Sequence, residues 1–474
     1  MNKLEKLKLI LGGICLFCVL TVQAQQTIPF KIDQLMEQAG VLQNSEVGIA
    51  VYDLTAGEPV YRYQSQKLYR PASVEKIITS VTALATLGEK HEFQTRIYHT
   101  GTIHNDTLNG DLYLVGGFDP EFMDTDMDDL VNIVAEKGIR HITGRVVGDV
   151  SMTDSLYWGP GWSWDDTPLS FQPYFSPLML NRGCVDVTVW PAGRGAAPHV
   201  TCLPESGFYR IDNQALSHTP KAGKLTVTRD WLYNGNTIRI SGNAVSRSVK
   251  TINIYTSKDF FFTVFCERLA KRGIAFSTST WGILPDTASV LLGSVKRNLF
   301  PVLKRALKKS DNLCAEALFY HLAANHSRER WVGTKEGQEA IYQFMRTELG
   351  FNPSDYRIMD GSGVSLYNYI SPELLLAYLK YAYYHSSVFQ PFYEALPIAG
   401  IDGTLQHRMK LGKAYRNVRA KTGTVTGVSS LAGYVKAANG NMLAFVIINQ
   451  NVLNNSAAHR FQDRLCEILA TLNL

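Results

Sequence analysis

The chain has 474 residues, 45% of them hydrophobic and 19% charged, with 47 Lys and Arg against 42 Asp and Glu. The formal net charge of +5 includes +2 from residues 1–24, where Lys3, Lys6 and Lys8 outweigh Glu5, which leaves +3 for the remainder. So small an excess excludes a nucleic-acid-binding surface, and the length is too great for one core, so two or three domains are expected.

The N-terminus reads as an export signal. Lys3, Lys6 and Lys8 make a basic start, Leu9 to Leu20 is apolar, and Val22-Gln23-Ala24 has the small-x-small pattern of a signal-peptidase site, with Gln25 as the mature start. The apolar run is shorter than the roughly 20 residues a bilayer requires. Neither Cys15 nor Cys18 follows a small residue, so lipid attachment is not expected, and no later stretch reads as a transmembrane anchor. The mature chain is expected in the periplasm or cell envelope.

Glu46 to Leu54 alternates like a strand, and Ala56-Gly57-Glu58-Pro59 turns into a second strand, Val60 to Tyr63. Ser73 to Leu87 is helical in its spacing, with Ile77, Ile78, Val81, Leu84 and Leu87 on the apolar side. From about Phe93 to Pro285 short strand-like runs and Gly or Asn turns dominate, interrupted by helices at Asp126 to Lys137 and Lys258 to Arg272. Within that block Val185 to Val249 is almost purely β-like. Helical texture returns at Leu299 and continues to Tyr384. Arg416 to Thr422, Ser430 to Val435 and Met442 to Gln450 read as successive strands, the last two joined at Asn439-Gly440-Asn441, and Ala457 to Leu472 closes the chain as an amphipathic helix. The pattern predicts one α/β (α+β) domain, an antiparallel sheet flanked by helices, interrupted by a β-rich insertion. Expected boundaries are a signal peptide at 1–24, a catalytic domain at 25–92 and 287–474, an inserted domain at 93–183 and 250–286, and a second inserted β domain at 184–249.

Five cysteines follow residue 24, with no C-x-x-C pair, so zinc and redox motifs are not supported. Cys184 and Cys202 share one β-rich stretch and are candidates for a disulfide, whereas Cys266 and Cys466 lie on amphipathic runs and read as core residues. His321 and His326 are five apart, out of line on a helix, so no metal site is expected. No cofactor is called for.

Three short motifs carry the chemistry: Ser73-Val74-Glu75-Lys76, Ser310-Asp311-Asn312 and Lys421-Thr422-Gly423-Thr424. Ser73 and Lys76 share one face of a helix start. A serine hydroxyl needs a base, and a lysine serves only when burial or a neighbouring cation lowers its pKa, with Lys421 the candidate cation. The helix start also offers a backbone N–H for an oxyanion. Ser310 is placed to shuttle a proton toward a leaving amine, and Asn312 to bond a substrate amide, although Ser, Asp and Asn together also suit a helix N-cap. Lys421 and Thr422 suit a substrate carboxylate. Gly423 would let a substrate backbone lie along the strand, and the Thr424 N–H would complete the oxyanion hole.

In this order the motifs are the signature S-x-x-K, S-x-N and K-T-G of penicillin-binding proteins and β-lactamases. The chain as a whole resembles the class C low-molecular-mass penicillin-binding proteins, serine D-Ala-D-Ala carboxypeptidases and endopeptidases that carry a large insertion after the S-x-x-K helix. Val115-Gly116-Gly117-Phe118-Asp119-Pro120, Gly148-Asp149, Gly159 to Asp166, Asp360-Gly361-Ser362-Gly363 and Gly403-Thr404-Leu405 add to the likeness. Phe118 stands where the family often has a third glycine. The resemblance implies Ser73 as nucleophile, Lys76 as base, Ser310 as relay, Asn312 on the substrate amide, Lys421 with Thr422 on the carboxylate and Thr424 with the Ser73 amide as oxyanion hole. It implies peptidoglycan stem peptides as substrate and β-lactams as covalent inhibitors. The loop Asp149 to Asp154, through Asp154, is a candidate to meet the free end of a diamino-acid side chain. A β-lactamase or esterase of the same fold, and a silent wall-binding or β-lactam-sensing module, are the alternatives.

Overall fold

The computed structural model describes residues 27–471, so the expected signal peptide lies outside the described residues. Its central element is a five-stranded antiparallel sheet in the order Arg419–Val425, Gly427–Lys436, Met442–Val452, Glu46–Asp53, Glu58–Tyr63. Chain start and chain end thus share one sheet. Alternate residues of Met442–Val452 enter two cores. Ala444, Val446 and Ile448 face the helices Lys76–Thr86, Leu299–Lys308, Asn312–Ser327 and Pro372–Tyr384, whereas Leu443, Phe445 and Ile447 face Ile28–Gln38 and Asn455–Thr471. Burial on both faces explains why this strand is a continuous apolar run.

The K-T-G strand differs from expectation. Arg416 to Val418 belong to a turn, in which the Val418 N–H donates to Ala414 O and Arg416 has φ +61°, and the strand begins at Arg419. The motif therefore lies inside an edge strand and not at a strand end. The helical stretch from Leu299 is also broken: Thr334–Phe344 gives way to a wide turn at Met345–Leu349, and a loop through Asp360 and Gly363 precedes Pro372–Tyr384. Ser386–Ala395 is a helix that the sequence reading did not identify.

The insertion builds its own sheet. Ser289–Asn298, Glu92–Thr100, Leu112–Val115, His141–Asp149, Thr107–Asn109 and Thr102–His104 follow one another, with Ala275–Trp281 also paired to His141–Asp149. The helices Asp124–Glu136 and Ser257–Lys271 share a core with it. Ser289–Asn298 pairs with Glu92–Thr100 along its whole length, so this sheet continues past the expected boundary at 286. Ending the inserted sheet at 286 would remove this strand and leave the backbone groups of Glu92–Thr100 that face it unpaired.

Between these elements, Ser248–Asn253, Cys184–Trp190 and His199–Leu203 form one small sheet, and Arg210–Asn213, Thr237–Ser241 and Thr226–Arg229 another. Cys202 lies opposite Val187 while Cys184 lies opposite Asn253, which sets the two thiols apart along the strand and on opposite faces. Both are free thiols, so the candidate disulfide does not form. Among the described residues no helix is long and apolar enough to cross a membrane.

Candidate active site

The three motifs converge where the edge strand of the central sheet meets the start of the helix Lys76–Thr86. Ala72–Glu75 is a 3-10 turn that passes directly into Lys76–Thr86, and Ala72 has φ +52°. Ser430 Oγ, from the neighbouring strand, donates to Pro71 O at 2.7 Å and fastens this turn to the sheet. The fit leaves no room at Gly423. A Cβ there would lie 2.2 Å from Ser430 Oγ, 2.8 Å from Pro71 O and 3.0 Å from Ser73 N. The glycine is thus required by the nucleophile turn itself, a tighter reason than the substrate approach expected from sequence. It also brings the Gly423 backbone against the Ser73 amide.

Lys76 is fully buried. Its Nζ donates to Ser73 Oγ at 2.9 Å, to Asn312 Oδ1 at 2.8 Å and to Ser362 O at 2.7 Å. Burial lowers its pKa to about 8 against the opposing pull of Asp360, Glu316, Asp311 and Glu75. Burial, and not the neighbouring Lys421, is therefore what brings this lysine down. The repulsion between the two lysines adds to the burial that pushes Lys421 well below its usual range.

Asp311 caps the helix Asn312–Ser327 by accepting the Cys314 N–H at 3.0 Å, and Arg305 Nε holds its other oxygen at 2.8 Å. The N-cap reading and the site reading are thus both satisfied by one tripeptide. Ser310 has φ +58°, a left-handed conformation of the kind that persists where surrounding structure imposes it. Its Oγ accepts from Lys421 Nζ at 2.8 Å, so the hydroxyl is coupled to Lys421. Lys421 also donates to Thr422 O at 2.6 Å, and Thr422 Oγ1 donates to Thr404 Oγ1 at 2.8 Å. Asn312 Nδ2 donates to Phe171 O and to Gln172 Oε1, both at 2.9 Å, which ties the insertion to the centre of the site.

The sequence marks the Asp360-Gly361-Ser362-Gly363 stretch but not what it does here. Asp360, almost fully buried, accepts from Trp162 Nε1, Ser362 Oγ, Gly363 N, Ser365 N and Asn368 Nδ2 and so shapes the loop that offers Ser362 O to Lys76. Glu75 and Glu316 are buried beside it. The available signal was Glu316, a charged residue one turn after Asn312 on an otherwise apolar helix segment. Phe118 has φ +49° and packs between Phe175 and Tyr320. A left-handed backbone is the physical reason a glycine suits that position. Asp154 accepts the Leu156 N–H at 3.0 Å and lies against Gly333, closing a local turn, and Asp149 accepts from Ser151 N and Leu284 N, tying its turn to the segment at Leu284.

Residues 29–472 match the D-Ala-D-Ala carboxypeptidase 3 (S13) family. The chain is 29% identical over 458 residues to a D-alanyl-D-alanine carboxypeptidase of an Actinomadura species, covering 93% of this chain and 84% of the relative. It is 26% identical over 417 residues to the D-alanyl-D-alanine carboxypeptidase DacB of Haemophilus influenzae, covering 85% of each. In fold it resembles the crystal structure of penicillin binding protein 4 from H. influenzae, with TM-score 0.81, 24% identity and coverage of 93% of this chain and 99% of that one. A family match across nearly the whole described chain, over a site holding all three motifs, places this protein in the D-Ala-D-Ala carboxypeptidase 3 (S13) family.

Proposed function

We propose that the chain cleaves the terminal D-residue from peptidoglycan stem peptides through an acyl-enzyme on Ser73, with endopeptidase action on cross-linked stems at the same centre. Membership of its family makes it a serine-type D-Ala-D-Ala carboxypeptidase. The observation that carries the assignment of residues is the environment of Lys76. A neutral amine has two hydrogens and one lone pair. Asn312 Oδ1 and Ser362 O are obligate acceptors in this arrangement and take the hydrogens, so the lone pair points to Ser73 Oγ.

In this mechanism Lys76 takes the Ser73 proton as Oγ attacks the carbonyl before the terminal D-Ala. Negative charge on that oxygen meets the N–H groups of Ser73 and Thr424. Lys421 and Thr422 hold the terminal carboxylate, which restores the charge that burial disfavours on Lys421. Ser310, bonded to Lys421, carries a proton to the departing amine. Asn312 gives up one of its insertion contacts to the amide on the acyl side, and water then releases the acyl group. β-Lactams present the same carboxylate and strained amide and acylate Ser73 as covalent inhibitors. The insertion is read as two units divided near Cys184 and Val249, and the basic start with its apolar run supports export to the periplasm or cell envelope.

Intact-mass spectrometry of the protein with benzylpenicillin, alongside Ser73→Ala, tests the assignment. A lasting adduct on the wild type that is missing from the variant is the expected outcome. Drug consumed without an adduct would mean a β-lactamase or esterase, and unreacted drug would mean a silent wall-binding or sensing module.

A further inference from the structure

The acylation steps leave a buried group of carboxyls unused. Glu75 lies between Ser73 and Lys76 in the chain, is wholly buried, and neither of its oxygens has a hydrogen-bond partner. Glu316 is 2% exposed; its Oε2 accepts the Gly361 N–H at 3.2 Å, and its Oε1 has no partner. Gly361 O accepts from Thr79 Oγ1 at 2.8 Å, and the next carbonyl, Ser362 O, receives Lys76 Nζ. Glu316 therefore grips the same stretch of backbone that aims the base. The charged and titratable groups facing it are Lys76 and Glu75 from the nucleophile turn, Asp360 from the loop and Tyr320 from its own helix.

We propose that Glu316 is a positioning residue that gates the base: by keeping its own proton it leaves Lys76 as the group that gives one up, while it holds the Gly361-Ser362 peptide that orients the amine. The inference rests on Lys76 being the base for Ser73. The charge of an ionised Glu316 would instead favour an ammonium on Lys76, which has no lone pair to accept the serine proton. Burial, reinforced by Asp360, raises Glu316 to about 8, close to the value of Lys76, and burial holds Glu75 well above its usual range. Lys76 and Glu316 accordingly titrate as a pair. After the first proton leaves, neutral lysine beside neutral acid is competent, and ammonium beside carboxylate is not.

The test is the pH profile of Ser73 acylation by benzylpenicillin for the wild type, Glu316→Gln and Glu316→Asp. The amide keeps the acceptor for Gly361 but cannot ionise, so the charge that favours an ammonium on Lys76 disappears. The midpoint should move toward acid by about one pH unit or more, and the aspartate should return it toward the wild-type value. A midpoint unmoved in Glu316→Gln overturns the gate, including the case of a rate uniformly reduced at every pH, which describes a scaffold residue only. A measurement on the wild type guards against a variant that does not fold. Difference infrared spectra should show a protonated carboxyl band at about pH 7 that persists at the acylation midpoint and declines only above it, and a band already lost below that midpoint overturns the proposal. A wild type that never acylates removes the underlying reading, and the absence of any profile distinguishes that failure from failure of the gate.

Discussion

Ser73 and Lys76 show how far single residues determine the chemistry. Lysine normally stays charged to about pH 10.4, but total burial brings Lys76 down to about 8. Only the neutral amine accepts the serine proton, so acylation should be slow below that value and rise as pH increases through it, as measured by the rate of penicillin adduct formation. Gly423 provides a second prediction. Its Cβ position lies 3.0 Å from the Ser73 amide and nearer still to Ser430 Oγ and Pro71 O, two of them backbone atoms with little freedom. Gly423→Ala must displace the nucleophile turn, and an ångström-scale displacement of a reacting group costs on the order of 10²-fold in rate. Acylation should fall by about that factor while the far-UV spectrum stays unchanged. That Ser73, Lys76 and the K-T-G residues belong to one site was legible because their types and order are chemically restrictive. Glu75 was not, since burial is a property of the neighbours: a glutamate after Val74 reads as solvent-facing until the loop around Asp360 covers it.

At the scale of elements, the insertion is wired to the site through one loop. Asn312 Nδ2 reaches Phe171 O and Gln172 Oε1; Gln172 O accepts from Asn253 Nδ2; and Asn253 is held by Arg229, whose Nε donates to both its O and its Oδ1. Arg229 is 1% exposed and also donates to Gly235 O and Thr167 Oγ1, so its guanidinium is satisfied entirely by neutral acceptors. Replacing it with Met deletes these bonds and leaves buried carbonyls unpaired, so Arg229→Met should destabilise the protein by about 2–4 kcal/mol in urea unfolding. Because the same chain of bonds ends on Asn312, the variant should also acylate more slowly at a temperature where it remains folded. Strand and helix periodicity made most elements readable in the sequence. The exceptions have local causes. The turn at Arg416 imitates a strand because Val418 and Arg419 continue its apolar-polar alternation. The loop from Gly350 to Ser371 sits between helices and owes its form to Asp360, which gathers donors from Trp162 to Asn368 across a long stretch of chain.

Across the whole molecule, the helix Asn312–Ser327 and the insertion meet at a histidine pair. His321 Nε2 lies 2.9 Å from Gly117 O, an acceptor only, so this nitrogen carries the hydrogen and Nδ1 accepts from His91 Nε2, also at 2.9 Å. Both rings are used in their neutral forms. Burial, with a smaller contribution from His91, depresses His321 to about 3. The sign of the pH effect follows: an unfolded histidine binds a proton near pH 6.5 and the folded one does not. The stability that His321 contributes is therefore complete above pH 6.5 and is lost as the pH falls from there toward 3. One proton taken up only on unfolding corresponds to about 1.4 kcal/mol per pH unit. Glu316 acts in the opposite sense, since an acid raised to about 8 loses its contribution as pH climbs from its unfolded value toward 8. The two contributions overlap between those limits, so a single-residue change is needed to separate them. His321→Gln keeps a donor for Gly117 O but has no titrating ring. Between pH 6.5 and 5, above the range where most exposed carboxylates protonate, its unfolding free energy should vary less steeply than that of the wild type by about 1 kcal/mol per pH unit. Urea titrations of both proteins at three pH values in that window would measure the difference. Parallel slopes would mean that His321 does not stay neutral at this junction and that the acid sensitivity of the fold arises elsewhere.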